Sequence, residues 1–403
     1  MAEAVIAACT RTPIGRARKG SLTGVRADDL AALAVRAALD SVPALPAGLV
    51  EDVIVGCAQP AGEQGYNLGR VVAILAGLRD VPGTTVNRYC ASSLQALRIA
   101  AHAIRAGEGE AFVAAGAEAV SRYAQGKADG MPDTHNPRFA AAETRTGERA
   151  IGGTPPWTAH PDLPDIYIAM GQTAENVAEL ENVTREDMDA WAALSHRRAV
   201  AAQDAGIFDA EITPVPLPDG GVVSADDCPR RGTNVHTLAE LKPVFRPDGR
   251  VTAGNSCPLN DGAAVAVVIS DVLAARLGIR PLARIVSTAV SALDPEIMGL
   301  GPVEASRRAL GRAGMTVSDV DLAEINEAFA AQVLPSARAL GIPEDRLNIH
   351  GGAIALGHPF GMTGVRIMTT LLNALGRAGG TIGLETMCVG GGQGMAMVLE
   401  RLG

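Results

Sequence analysis

The chain is expected to fold as an α/β protein of two similar halves, each a sheet covered by helices, with a loop-rich segment inserted between them. Three observations predict this. Strand and helix signals alternate through the first and last thirds, which calls for a mostly parallel sheet with helices on both faces. Those two thirds match one another at an offset of about 270 residues. The middle third, from Ser121 to about Arg250, breaks the alternation with proline-rich tracts such as GGTPPWTAHPDLPD.

Taken in order, the first third reads as a strand at Ala4 to Ala8, a helix from about Asp28 to Leu39, a strand at Asp52 to Val55 and a helix near Leu68 to Ala76. A β-branched strand at Thr84 to Val86 leads to Cys90, a helix begins at Ser92, and a strand follows at Ala111 to Ala115. In the middle third, one long helix is capped at Thr184 and runs from Arg185 to about Ala205. A buried strand then returns at Ala263 to Ile269, and Ser270 caps a helix from Asp271 to Leu277. The last third repeats the pattern, with strands at Ala283 to Val290 and Leu322 to Ile325 and helices at Val303 to Ala313 and from Ala328. A glycine-rich turn after Asn348 precedes a helix at Thr363 to Leu375 and strands at Thr381 to Thr386 and Met395 to Glu400. Asp52–Val55 aligns with Asp321–Glu324, and SLQALRIAAHAI aligns with TGVRIMTTLLNAL. Any two βαβ units would also match at this level, so pattern alone leaves duplication open.

Composition narrows the function classes. With 403 residues, 47% hydrophobic and 20% charged, the chain is long enough for two or three domains and is globular. A net charge of −9 provides no basic field, so nucleic acid is not an expected partner, and an anionic ligand needs a local basic patch. The six cysteines are dispersed without a CxxC pair or a secretory leader, which fits reduced thiols in a cytoplasm. No apolar run approaches the roughly twenty residues a membrane span needs. The seven histidines show no metal spacing, so no metal is expected.

Cys90 falls where a strand hands over to a helix, near unpaired NH groups and the positive end of the helix dipole. That position lowers a cysteine pKa and favours the nucleophilic thiolate. Placement alone fits a buried cysteine packed as a small hydrophobe equally well. Three further segments put reactive side chains beside glycine-dense turns: NEAFA at Asn326 to Ala330, GGAIALGHPFGMTG at Gly351 to Gly364, and CVGGGQG at Cys388 to Gly394. Such turns let backbone NH groups point at developing negative charge.

Together with MGQTAENVA at Met170 to Ala178 and VTAGNSCPLNDGAA at Val251 to Ala264, these segments make the whole chain resemble the thiolase family, which cleaves or forms 3-ketoacyl-CoA thioesters. The resemblance implies two duplicated mixed-sheet halves in five αβαβα layers. It assigns 1–121 plus 251–272 to the first half, 122–250 to an inserted loop domain and 273–403 to the second half. It also implies a homodimer or homotetramer, CoA and acyl-CoA as substrates, and no permanently bound cofactor.

The same resemblance assigns Cys90 as the acyl-accepting nucleophile, His358 as its base, Asn326 as the holder of an enolate-site water, and Cys388 as the proton donor to the leaving fragment. The backbone NH groups of Cys90 and Gly390 would form an oxyanion hole, in which glycine at 390 lets the backbone approach. For CoA it points to Arg230, with Arg231 and Lys242 nearby, to Ser256 and Cys257 in the pantetheine channel, and to Met170. Each cation also reads as an ordinary solvated charge. Ser93 stands where many relatives have glycine, so the acyl pocket is expected to differ. Ala169 replaces a histidine of many biosynthetic relatives, which leans toward a degradative, β-oxidation type of thiolase over an acetoacetyl-CoA synthase. His350 reads as structural. The loop region from about Gly126 to Pro164 is expected to set chain length and oligomeric state. A decarboxylating 3-ketoacyl synthase and a catalytically silent thiolase-like protein are the competing readings, and Cys388 beside the other three residues argues against both.

Overall fold

A computed structural model describes residues 2–125 and 132–403. Residues 126–131, at the start of the loop region expected to set chain length, lie outside the described residues. In the first half, strands β1 (Ala4–Arg11), β2 (Asp52–Gly56), β3 (Gly83–Val86) and β4 (Ala111–Ala119) alternate with helices α1 (Ala27–Asp40), α2 (Leu68–Leu75) and α3 (Ser92–Ala106). The middle segment carries α4 (Ala140–Ala150), α5 (Met170–Leu180) and α6 (Arg185–Asp204). Strand β5 (Asn260–Ser270) and α7 (Asp271–Leu277) follow. The second half comprises β6 (Ala283–Ala292), α8 (Gly301–Ala313), β7 (Leu322–Ile325), α9 (Ala330–Leu340), α10 (Thr363–Ala378), β8 (Ile382–Val389) and β9 (Gln393–Arg401).

Each expected element is present, and most run a few residues longer because neighbouring strands extend their ladders past the apolar run. The two expected caps are made: Thr184 Oγ1 accepts from Asp187 N at 3.1 Å, and Ser270 Oγ accepts from Leu273 N at 2.9 Å. Helix α4 gave no sequence signal, since only Ala142 of its residues is buried and no apolar stripe marks it.

The sheet is mixed. Strands run in the order β7-β8-β9-β6-β1-β5-β4-β2-β3. In the first half β3, β2 and β4 pair in parallel, while β4–β5 and β5–β1 are antiparallel. The second half repeats this, with β7–β8 parallel and β8–β9 and β9–β6 antiparallel. Thus β2-β4-β5-β1 and β7-β8-β9-β6 share order and direction, which gives the sequence match a topological basis. Only the pairs Val5–Arg284 and Ile6–Ala283 join the halves across β1 and β6.

Packing separates the layers. Leu94, Leu97 and Ile104 of α3 and Val365, Met368 and Leu371 of α10 share one core with residues of both half-sheets, so these two helices form the central layer. Helices α1 and α2 cover the far side of the first half-sheet, and α8 and α9 the far side of the second. Covering both faces explains why β5 reads as a continuous apolar run: Ala264, Ala266 and Val268 face the central layer, and Val265, Val267 and Ile269 face α1. The halves approach closely at the start of α10, where a Cβ on Gly361 would lie 2.4 Å from Ala117 O.

A buried ion network ties the middle segment to β1. Arg11 Nη1 and Nη2 donate to the two Asp226 carboxylate oxygens at 2.7 and 2.9 Å, and Nε donates to Glu211 Oε1 at 3.0 Å. Asp226 Oδ1 also accepts from Ile14 N at 2.7 Å. Replacing Asp226 with alanine leaves a buried guanidinium half paired, so Asp226→Ala is expected to lower unfolding free energy by about 3–5 kcal/mol. Urea denaturation checks this; a loss below about 1 kcal/mol contradicts it.

Candidate active site

Cys90 sits in a single helical turn, Tyr89–Ala91, between β3 and α3. Tyr89 takes a positive φ of 43°, which is unfavourable for a bulky residue and must be held by its surroundings. Side chains hold it: Tyr89 N donates to Asn87 Oδ1 at 2.8 Å, Arg88 N to Ser92 Oγ at 2.9 Å, and Ser92 Oγ to Tyr89 O at 2.7 Å. The turn brings the thiol to a cavity shared with Gly390 of the second half, and the Gly390 and Cys90 NH groups pull the thiol pKa down.

The thiol pKa does not fall as its place at a helix start predicts. Burial pushes it up to about 11, against the pull of the two NH groups, and Glu118 raises it further. Helix α3 begins only at Ser92, and its amide dipoles do not overcome the desolvation of the sulfur. The resting group is a neutral thiol that needs a base.

The His358 ring makes a hydrogen-bond contact at each nitrogen. Thr363 Oγ1 donates its only proton to Pro359 O at 2.7 Å, so its 2.6 Å contact with His358 Nδ1 places the hydrogen on Nδ1. Nε2 is therefore the bare nitrogen, and Asn326 Nδ2 donates to it at 3.3 Å. Asn260 Oδ1 accepts from His358 N at 2.9 Å and anchors the loop. Burial lowers the imidazole pKa to about 3, and Arg366 adds to this. Asn326 Oδ1 is buried without a partner in the protein, an acceptor left for a donor from substrate or solvent.

Cys388 lies fully buried near the end of β8, opposite Gly394 of β9. Burial raises its pKa well above the ordinary thiol value, and Cys90 and Cys257 add to the rise, so the three sulfurs act on one another. The turn after it is made by Gly391 and Gly392, with φ of 74° and 75°. A Cβ on Gly390 would make ordinary contacts, the nearest 3.4 Å from Tyr89, whereas Gly392 has φ of 75° and its Cβ would lie 2.2 Å from Leu293 O. Gly391 and Gly392 thus form the turn, with Gly390 just before it.

A cavity of about 450 Å³ opens on Cys90 and Gly390, with Tyr89, Met170, Ile168 and Phe360 among its walls. His358, Asn326 and Cys388 are not on that wall; Phe360 connects them to it, its ring edge-on to the imidazole at 5.1 Å. Arg230 lines a separate cavity of about 520 Å³ with Arg197, Arg231 and Asn234. Arg231 pairs with Asp204, and Lys242 is exposed. Cys257 N donates to Ala328 O at 3.0 Å, which sets the 251–264 turn against the NEAFA segment, while Ser256 Oγ donates to Thr252 O at 2.7 Å.

Two sequence profiles span the chain. That of the thiolase N-terminal domain matches residues 4–272, and that of the thiolase C-terminal domain matches 279–401. The chain belongs to the thiolase family. A β-ketoadipyl-CoA thiolase of Escherichia coli is 46% identical over 411 aligned residues covering both chains in full. A 3-ketoacyl-CoA thiolase of Citrobacter koseri is 44% identical with the same coverage. The crystal structure of the Bacillus anthracis acetyl-CoA acetyltransferase superposes with a TM-score of 0.86 at 37% identity, over 100% of this chain and 99% of that one.

Three residues of this thiolase site were not singled out from sequence. Thr363 and Asn260 lie inside quoted motifs, so the motifs held the signal without their roles. Glu118 had none: from β4 its carboxylate accepts from Ala58 N at 2.9 Å, Gln64 Nε2 at 2.6 Å and Gly361 N at 2.9 Å, tying the first half to the loop that carries His358. Ser93 also differs from expectation. It is fully buried, accepts from Val365 N at 3.1 Å and does not line the Cys90 cavity; it joins the two central helices instead of shaping the acyl pocket. Among the described residues all six cysteines are free thiols, no group of side chains could hold a metal ion, and no helix is long and apolar enough to cross a membrane.

Proposed function

We propose that this thiolase is an acyl-CoA C-acyltransferase that cleaves 3-ketoacyl-CoA with CoA by a ping-pong route through an acyl group on Cys90. The observation that carries the reading is that Cys90 and Gly390 open on one cavity, with the NH groups of both pulling the thiol pKa down. Those donors suit the oxyanion formed when sulfur attacks the C3 carbonyl. His358 Nε2 takes the thiol proton in that step. As the C2–C3 bond breaks, its electrons pass into a thioester enolate, stabilised by His358 and by a water on Asn326 Oδ1. The Cys388 thiol then gives its proton to C2, releasing acetyl-CoA and leaving a Cys388 thiolate. That thiolate takes the proton of incoming CoA, whose sulfur attacks the acyl-Cys90 carbonyl. The Cys90 thiolate leaves and recovers its proton from His358, so both thiols and the imidazole return to their starting forms.

CoA and acyl-CoA are substrates in this reading, with Met170 at the acyl cavity, Ser256 and Cys257 beside the NEAFA segment, and Arg230 at the nucleotide end; no cofactor is resident. The catalytic halves are 1–121 with 251–272 and 273–403, the segment 122–250 forms the loop domain, and the protein works as a cytoplasmic homodimer or homotetramer. The names of the relatives, 3-ketoacyl-CoA thiolase and β-ketoadipyl-CoA thiolase, support cleavage over dedicated acetoacetyl-CoA synthesis.

Intact-protein mass spectrometry after mixing with acetyl-CoA tests the route. The parent is expected to gain one acetyl group on Cys90. Cys388→Ala is expected to gain it too, yet to lose cleavage of 3-ketoacyl-CoA by at least about a thousandfold, since its carbon acid has no proton donor. A parent that stays unmodified, or a Cys388→Ala variant that turns over like the parent, refutes the assignment.

A further inference from the structure

Charged side chains that the proposed reaction does not use lie between the second half-sheet and α10. Glu324 of β7 and Glu385 of β8 are register partners on adjacent parallel strands, so their side chains leave the sheet on one face. Leu322 and Met387, two residues away along each strand, belong to the central core, so that face looks onto α10. Arg366 of α10 acts electrostatically on both carboxyl groups. All three are buried, with exposures of 2%, 0% and 1% for Glu324, Glu385 and Arg366. Yet Arg366 Nε, Nη1 and Nη2, both Glu385 oxygens and Glu324 Oε2 have no hydrogen-bond partner in the protein. Arg366 also forms no ion pair among the described residues.

Buried polar atoms without protein partners are normally satisfied by ordered water, and here six of them belong to three side chains between the sheet and α10. One guanidinium cannot balance two adjacent buried carboxylates, so one acid keeps its proton. We propose that Glu324, Glu385 and Arg366 enclose an internal water site in which one acid is neutral, the other is the counter-charge of Arg366, and bound waters bridge them. Burial raises both acids, and Arg366 pulls each back.

The location gives the site a task, which rests on His358 acting as the base in the proposed function. Arg366 is one helical turn beyond Thr363, which holds His358 Nδ1, and Glu324 is two residues before Asn326 on the same face. Arg366 opposes protonation of His358. The ionised acid offsets that charge and so lets His358 accept the Cys90 proton; it is a positioning residue. The surrounding charges are committed elsewhere: Arg11 pairs with Glu211 and Asp226, Glu327 is held by Trp191, Ser195 and Asn348, and Arg198 donates to Glu344 O and Leu347 O.

The test has two independent parts. A crystal structure of the parent protein is expected to show ordered waters within hydrogen-bond distance of Arg366 and Glu385. A dry site in which the guanidinium bonds both carboxylates directly overturns the proposal, whatever the enzyme does. In the second part, Cys90 acetylation by acetyl-CoA is followed in single turnover. Of Glu324→Gln and Glu385→Gln, one is expected to slow it about tenfold, equivalent to about one pKa unit at His358, and the other to stay within about twofold of the parent. Infrared spectra at about pH 8 are expected to show a protonated carboxyl band that one of the two glutamine variants loses. Equal slowing by both variants, no slowing by either, or absence of that band overturns the proposal. An unacetylated parent instead refutes the proposed function and leaves the water site standing on the crystallographic result.

Discussion

Cys90→Ala is expected to abolish both the acetyl adduct and turnover, with kcat falling by about five to six orders of magnitude to the limit of detection. The loss is that large because, in the proposed reaction, the donors and the base all act on its sulfur. The Gly390 and Cys90 NH groups pull its pKa down, and in the proposed reaction His358 Nε2 receives its proton. An alanine methyl neither accepts the acyl group nor gives a proton, so the oxyanion donors have nothing to stabilise. The fold should be unaffected, since the turn is held by Asn87 and Ser92 side chains and not by the thiol. Steady-state thiolysis together with circular dichroism checks both parts; a Cys90→Ala variant retaining a tenth of parental activity would refute nucleophilic catalysis.

Much of the fold was legible because strong local signals agreed with the tertiary arrangement. The apolar run of β5, the caps at Thr184 and Ser270, and the matched segments around α3 and α10 all mark elements that are present. What stayed hidden depends on contacts made across long sequence separation. Glu118 accepts from residues about 60 and 243 positions away, and no neighbour in sequence announces it. Ser93 looks from its position like part of an acyl pocket, but its hydroxyl meets Val365 N, 272 residues later, in the layer between the sheets. The candidate catalytic segments were readable as glycine-rich motifs, though the motif could not say that Gly391 and Gly392 are the glycines that form the turn. The direction of the Cys90 pKa was misjudged because a helix start is visible in sequence and the depth of burial is not.

That pKa direction leads to a second large effect. In the parent, the thiol loses its proton only above about pH 11 and the imidazole gains one only below about pH 3, so neither group changes its resting state between roughly pH 5 and 9. Cys90 acetylation in single turnover should then be nearly flat across that range, because the proton passes from sulfur to Nε2 within the step itself. His358→Ala removes the acceptor. The raised thiol pKa leaves only a small thiolate fraction at neutral pH, and that fraction grows about tenfold per pH unit while pH stays below the pKa. The variant should acetylate about a thousandfold or more slowly at pH 7 and recover by about tenfold for each unit of alkalinisation. Burial, which silences the thiol in the resting enzyme, makes the histidine indispensable at neutral pH and dispensable in strong alkali. A His358→Ala variant with a flat pH profile would mean that another base serves Cys90.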